Sequence, residues 1–304
     1  MEKRRVGILR GGMGDNYDSS LLEGGNLIAH IFDNLNDKWK PVDILVDKQG
    51  VWHVNGIPIM PADLMHKVDI VWNTSEPNFS QVIKSLKLPH VGVSSISAIL
   101  ANNQDSLREH IKDIDLKMPR SMVLPAYQPD FDGPRDLYAA KKAKEIHNKF
   151  SAPWIVKSYT PDTSMGIHLA KTYPELISSI EDGVNHNKSI LVEEFISGKV
   201  ASVHSVPEFR NQPLYTFPLG ASFGNFSNSE KESLISMAKN LHKHLDAGHY
   251  LKSDFVLTPK GSIYLLNLEL SPDLKPDSHL SQVVESVGAK MHHIIEHILE
   301  RVLK

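Results

Sequence analysis

Two apolar segments that each run out into charge constrain the fold of this 304-residue chain more than any other feature. One is Trp154-Ile155-Val156-Lys157. The other is Ile190-Leu191-Val192-Glu193-Glu194-Phe195-Ile196-Ser197-Gly198. A short continuous apolar run reads as a strand buried in a sheet, and its polar end then lies at the sheet edge beside any cleft. A lysine at one such edge and a Glu-Glu-Phe-Ile run at the next are the groups that a nucleotide site between two sheets requires. An ammonium meets phosphate, a carboxylate takes the adenine amino group or ribose, and backbone groups read the base edge. Taken singly, Lys157 reads as a solvated strand end and Glu193-Glu194 as exposed carboxylates on a buried strand. Together they carry the nucleotide reading.

The rest of the chain sorts into three parts. From Val6–Leu9 to about Asn102, short apolar strands alternate with helical stretches, the pattern of a parallel α/β sheet. Val51-Trp52-His53 followed by Asn55-Gly56 predicts a small hairpin, because Asn-Gly favours a type I′ turn. A polar helix from Asp105, a proline-rich stretch through Pro125, Pro129 and Pro134, and a Lys/Ala-rich helix then lead into the Trp154 strand. These form a small α+β unit. A second α+β unit holds strands at Ile190–Phe195, Val200–Val206, Leu214–Phe217, Tyr250–Leu257 and Ser262–Leu270, then C-terminal helices from about Ser278. The expected division is 1–103, 104–188 and 189–304, in keeping with roughly 100–200 residues per domain.

Composition removes several function classes. With 33 basic against 36 acidic residues, no basic excess points to nucleic acid or anionic lipid. No cysteine is present, which excludes disulfides, thiolate metal sites and a thiol nucleophile and fits a reducing cytoplasm. Val6–Leu9 is too short for a signal-peptide core, and no run approaches the ~18–20 apolar residues that cross a membrane. No Ser-His-Asp order or nucleophile elbow is visible. Most of the 16 histidines are expected at the surface.

Further residues have chemistry to offer. Ser158 to Gly166, which includes Thr163 and Ser164, is a loop of mostly small residues able to fold over phosphates with N–H groups and hydroxyls. Asn267 and Glu269 are two apart on a strand and share a face, and Asp254 on the preceding strand can face them. Two carboxylates and an amide oxygen are hard ligands suited to Mg²⁺ on nucleotide phosphates. The Gly11-Gly12-Met13-Gly14-Asp15 turn suits an anion or an amino-acid carboxylate at a helix N-terminus, or is only a sharp connection. Ser278 reads as a helix N-cap.

These motifs together resemble the ATP-grasp superfamily, and more narrowly the D-alanine–D-alanine ligases, over almost the whole chain. The resemblance implies an ATP-grasp fold, with an N-terminal parallel α/β domain followed by two α+β subdomains enclosing the nucleotide. It implies ATP and Mg²⁺ as cofactors, small amino acids as substrates, a homodimer and a role in peptidoglycan synthesis. By the same resemblance, Lys157, Glu193, Glu194, Phe195 and Ile196 bind the nucleotide, and Asp254, Asn267 and Glu269 hold the metal. Lys252 stands for the family's catalytic Arg, and Thr163 and Ser164 match its Ser-Ser loop. Asp15, Asn16, Ser20 and Ser278 fall at the amino-acid side, and Asp18 is the catalytic candidate there, since it or Asp15 can replace a carboxylate that the family has. The family's Glu in the glycine turn is Asn16 here, and its Glu-x-Asn is reversed to Asn267-Leu268-Glu269. Its His-Gly motif is replaced by Thr74-Ser75-Glu76-Pro77-Asn78. Two readings follow: a carboxylate–amine ligase working through an acylphosphate, or a nucleotide-binding relative that has lost that activity.

Overall fold

The structure is a computed structural model that describes residues 3–159, 165–219 and 225–304. Three sheets organise it. The first runs β1 (Arg4–Gly11), β2 (Trp39–Val46), β3 (Trp52–Val54), β4 (Ile57–Ile59), β5 (Ile70–Asn73) and β6 (His90–Val91) in the order β4-β3-β2-β1-β5-β6. The β1–β2, β1–β5 and β5–β6 pairs are parallel, as strand–helix alternation requires. The β3–β4 hairpin extends one edge through Asn55 and Gly56, both at positive φ (50° and 80°), the geometry that Asn-Gly supplies at least cost. Helices α1 (Tyr17–Asn34), α2 (Pro77–Ser85), α3 (Ser95–Asn102) and α4 (Gln104–His110) follow or connect these strands.

The second sheet is antiparallel, in the order β7-β10-β8-β9: β7 (Ser121–Leu124), β8 (Trp154–Ser158), β9 (His168–Ala170) and β10 (Ile190–Glu194). The proline-rich stretch holds one short helical turn, α5 (Pro129–Asp132), before α6 (Arg135–Lys149). Helix α7 (Tyr173–Asn185) starts from a capping box, in which the Thr172 hydroxyl accepts from the Glu175 N–H and the Glu175 carboxylate accepts from the Thr172 N–H. Trp154, Val156, Ile190 and Val192 meet Tyr138, Ile146, Leu176 and Ile180 in one core.

The third sheet takes the order β12-β11-β13-β14, from β11 (Lys199–Pro207), β12 (Leu214–Thr216), β13 (Leu251–Leu257) and β14 (Ile263–Glu269). Helices α8 (Asn228–His244), α9 (His279–Ser286) and α10 (Met291–Val302) complete it. Two compact units result. One comprises Met1–Leu116, Lys199–Leu257 and Leu265–Lys304; the other comprises Lys117–Gly198 and Thr258–Tyr264. The first and third sheets share a unit because the apolar face of α10 (Ile294, Ile295, Ile298, Leu299) enters one core with Val6, Ile8 and Leu27, and with Val206, Phe217 and Tyr250. Strand β10 pairs with β7 and β8, so the boundary expected at 188/189 passes inside the second sheet.

Candidate functional site

Alternation along adjacent strands gathers the polar groups of the second sheet. Leu191 lies opposite Lys157 in the β8–β10 ladder, so Glu193, two residues on, shares its face with Lys157. The Lys157 ammonium lies 2.6 Å from the Glu193 carboxylate, and Glu193 is only 8% exposed. Glu194 points the opposite way. Its carboxylate takes a two-point contact from Arg120, at 2.9 Å from Nε and 2.8 Å from Nη2. That hydrogen-bonded pair holds the Glu194 pKa below the usual glutamate value despite partial burial. Among the candidate nucleotide ligands, Glu194 is therefore engaged elsewhere, while Glu193 and Lys157 lie together. Phe195 is 39% exposed, and its N–H donates to the Pro153 carbonyl. Ile196 is half-buried. Thr163 and Ser164 lie outside the described residues.

The third sheet builds a different arrangement. In the β11–β13 ladder Ser202 lies opposite Asp254 and His204 opposite Lys252. Tyr250, Lys252 and Asp254 follow one another at the strand period, so all five share one face. The Lys252 ammonium lies 2.8 Å from Glu269 Oε1 and 3.5 Å from Asp254 Oδ2. Burial works against its charge, but the Glu269 hydrogen bond and the two carboxylate charges outweigh that, and its pKa is held above the usual lysine value. Ser202 donates its hydroxyl to the other Asp254 oxygen, and the Asn267 amide faces Asp254 at 3.5 Å. Two carboxylates thus converge on one cationic centre with an amide beside them. This donor set fits a hard divalent ion that completes its shell with phosphates and water. Among the described residues no group of three or more His, Asp and Glu forms a self-sufficient metal cage.

The glycine turn differs from expectation. Its free N–H groups are already taken: Met13 N and Gly14 N donate to Glu76 Oε1 at 2.6 and 2.8 Å, and Ser75 donates to the Gly11 carbonyl. The turn needs its glycines. Gly12 sits at φ 121°, and a Cβ there would meet Glu76 and Ser75 oxygens at 2.8 Å. Ser20 is buried, and its hydroxyl accepts from the Gly11 N–H, so it braces the turn. Asp15, Asn16 and Asp18 are exposed. Ser278 caps α9, accepting from the Ser281 N–H and donating to the Asp273 carbonyl. Glu23 lines a cavity of about 190 Å³ with Ser19, Glu269, Asp273 and Lys275. Burial, helped by the Asp273 charge, pushes its carboxyl up to about 6.

Residues 126–210 match the family model described as D-ala D-ala ligase C-terminus. A D-alanine–D-alanine ligase of Oceanobacillus iheyensis is 21% identical, with 98% of this chain and 94% of that protein covered. Among solved structures, D-alanyl-alanine synthetase A from Vibrio cholerae superposes with a TM-score of 0.73 at 16% identity, covering 100% of this chain and 99% of the other. The D-alanine–D-alanine ligase of Bacillus anthracis complexed with ATP gives 0.69 at 17% identity, covering 99% and 97%. The chain is similar to D-alanine–D-alanine ligases over nearly its whole length and shares their fold.

For this ligase-like chain, the sequence pointed to Lys157, Glu193, Asp254 and Glu269 from their strand positions, and to Lys252 through the resemblance. It did not point to Glu76, to Arg120 as the partner of Glu194, or to the buried histidines. His204 and His242 are 2% and 5% exposed, against the expectation of surface histidines. Strand alternation in Val203-His204-Ser205-Val206 was the available signal for His204.

Proposed function

We propose that this protein is an ATP-dependent carboxylate–amine ligase that joins two small amino acids through an acylphosphate. The observation that carries this reading is the convergence of Asp254 and Glu269 on one cationic centre within an ATP-grasp fold. ATP supplies the phosphoryl group, and Mg²⁺ supplies positive charge for its transfer. Asp254 and Glu269, with Asn267, are the residues suited to hold that metal. Glu193 accepts from the adenine amino group, Phe195 and Ile196 flank the base, and Lys157 gives its charge to phosphate. Lys252 neutralises charge that develops on the reacting carboxyl oxygen, as a point charge rather than the forked donor of an arginine. Thr163 and Ser164 supply hydroxyls to the same reaction. Asp15, Asn16, Asp18, Ser20 and Ser278 define the amino-acid side, with Ser20 and Ser278 acting through the turn and the helix that they brace. A homodimer in the cytoplasm completes the reading. Among the described residues no helix is long and apolar enough to cross a membrane.

The test is phosphate release by purified protein given Mg-ATP and pools of D- or L-amino acids. Release with a defined pair establishes the reaction. Silence across all pools, with ADP or ATP uptake intact by calorimetry, establishes the second reading, a nucleotide-binding protein without ligase chemistry. That second reading is favoured by one observation: Glu76 takes the N–H groups of the glycine turn. Sedimentation of the same sample tests the dimer.

A further inference from the structure

Behind Lys252 lies a chain of three side chains from three separate segments. The Tyr250 hydroxyl lies 2.6 Å from His204 Nδ1, and His204 Nε2 lies 2.7 Å from His279 Nδ1. Tyr250 and His204 are 1% and 2% exposed, and the two imidazole planes lie within 25° of each other with centroids 4.9 Å apart, the arrangement of an in-line N–H···N bond. His204 faces Lys252 directly across the β11–β13 ladder, and His279 is its next partner in the chain. The charges of Lys252 and Asp254 both reach His279.

The positions of the protons follow from what each atom can do. A phenol is a far better donor than acceptor, and among the described residues the Tyr250 hydroxyl has only His204 to bond. Its proton goes to His204 Nδ1. A neutral imidazole carries one N–H, so that of His204 is on Nε2 and is donated to His279 Nδ1. His204 is neutral because burial, with His279 and Lys252 adding to it, lowers its pKa to about 3. His279 then carries its proton on Nε2, the ring nitrogen that the chain leaves unused. The Lys252 ammonium, opposite His204 in the ladder, has three N–H bonds, of which Glu269 and Asp254 account for two.

We propose that Tyr250 and His204 are positioning residues that lock His279 in its Nε2–H tautomer, and that His279 and Lys252 together bind one oxyanion, a carboxylate or phosphate group of the substrate. The inference deepens the ligase reading and rests on it only in taking Lys252 as an anion-binding group. The neutral donor adds direction to a site where lysine gives charge without direction. It also adds no second positive charge next to the carboxylates that hold the metal.

Histidine ring ¹⁵N–¹H correlation spectra of the full-length protein test this, with His279→Leu identifying the His279 signals. The expected result is a single Nε2–H tautomer for His279. Tyr250→Phe, which removes one hydroxyl and leaves the fold intact, releases His279 into a mixture of tautomers. His204→Gln keeps an amide N–H near the place of Nε2 and retains the single form. Added D-alanine or inorganic phosphate shifts the His279 Nε2–H signal, and His279→Leu weakens the binding of that probe about five- to twentyfold. A Nδ1–H or mixed tautomer in the unaltered protein overturns the proposal. So does a His279 signal that neither probe moves, or probe affinity that His279→Leu leaves unchanged. Nucleotide uptake and phosphate release on the same sample separate the two ideas. A locked, responsive His279 in a protein silent towards Mg-ATP rejects the ligase reading alone, and an unresponsive His279 in an active protein rejects this inference alone.

Discussion

Lys157 and Lys252 both end beside carboxylates, but the second sheet gives its lysine one and the third sheet gives its lysine two. The difference is one of charge balance. Lys157 with Glu193 is a neutral pair at a largely buried edge, able to open towards one neutral base and one anionic phosphate without leaving a net charge behind. Lys252 with Asp254 and Glu269 carries a formal excess of one negative charge. Such a group attracts a further cation, and the Asn267 amide and Ser202 hydroxyl beside it are neutral. On the proposed reading, the same lysine–carboxylate chemistry serves a nucleotide at one sheet and a metal at the other.

The largest expected effect breaks the three-charge group. Replacing Asp254 or Glu269 by Ala lowers turnover by about 10²–10³, the usual cost of one preorganised charge group. Nucleotide affinity should fall in the presence of Mg²⁺ and stay unchanged in EDTA. Steady-state phosphate release and calorimetry measure both, and turnover that is unaffected would reject the metal assignment.

Next comes the neutral pair. Lys157→Met leaves the Glu193 carboxylate at an 8% exposed position without its cation. We expect a loss of about 2–3 kcal/mol in urea unfolding, since removing one member of a mostly buried pair costs more than the pair contributes. Nucleotide affinity should drop equally with and without Mg²⁺, the opposite of the Asp254 result. Equal behaviour of the two variants would erase the contrast between the sheets.

Glu23 sharpens the picture of the unit that holds the third sheet through pH. Its folded pKa, about 6, lies above the ordinary value of 4.5, so the folded form holds its proton more tightly. The resulting stabilisation is complete below about pH 4.5 and is lost as pH rises through 6. Glu23→Gln should therefore raise stability by about 1–2 kcal/mol at pH 7–8, with the gain vanishing near pH 4. Thermal unfolding across pH measures it, and a gain that persists at pH 4 would contradict the linkage.

The smallest effect belongs to Arg120 and Glu194. Their contact is bidentate, but Arg120 is 56% exposed, and water screens much of its energy. Arg120→Ala should cost about 0.5–1 kcal/mol in stability and leave nucleotide affinity unchanged. A large loss of affinity would restore Glu194 to the nucleotide site.

Much of the fold was legible because its signals are local. Asn55-Gly56 dictates its hairpin, and the apolar runs of β8 and β10 declare themselves as buried strands. The shared side of Asn267 and Glu269, with Asp254 able to face them, was legible for the same reason, since a period of two predicts which side chains share a side. What was not legible depends on which segment meets which. C-terminal helices were expected, but not that α10 would join the first and third sheets in one core. Residues 13 and 76, and residues 204, 250 and 279, come together only through tertiary packing. No spacing in the chain announces them.

The carboxylate of Glu76 in the glycine turn has a consequence for any free ligand that approaches it. A tethered group competes as if present at millimolar or higher concentration, because it never diffuses away. An amino-acid carboxylate at micromolar levels would leave that seat filled by Glu76. The turn therefore behaves as a closed clasp between β1 and α2, and a substrate must find its anchorage elsewhere, among side chains rather than on this stretch of backbone.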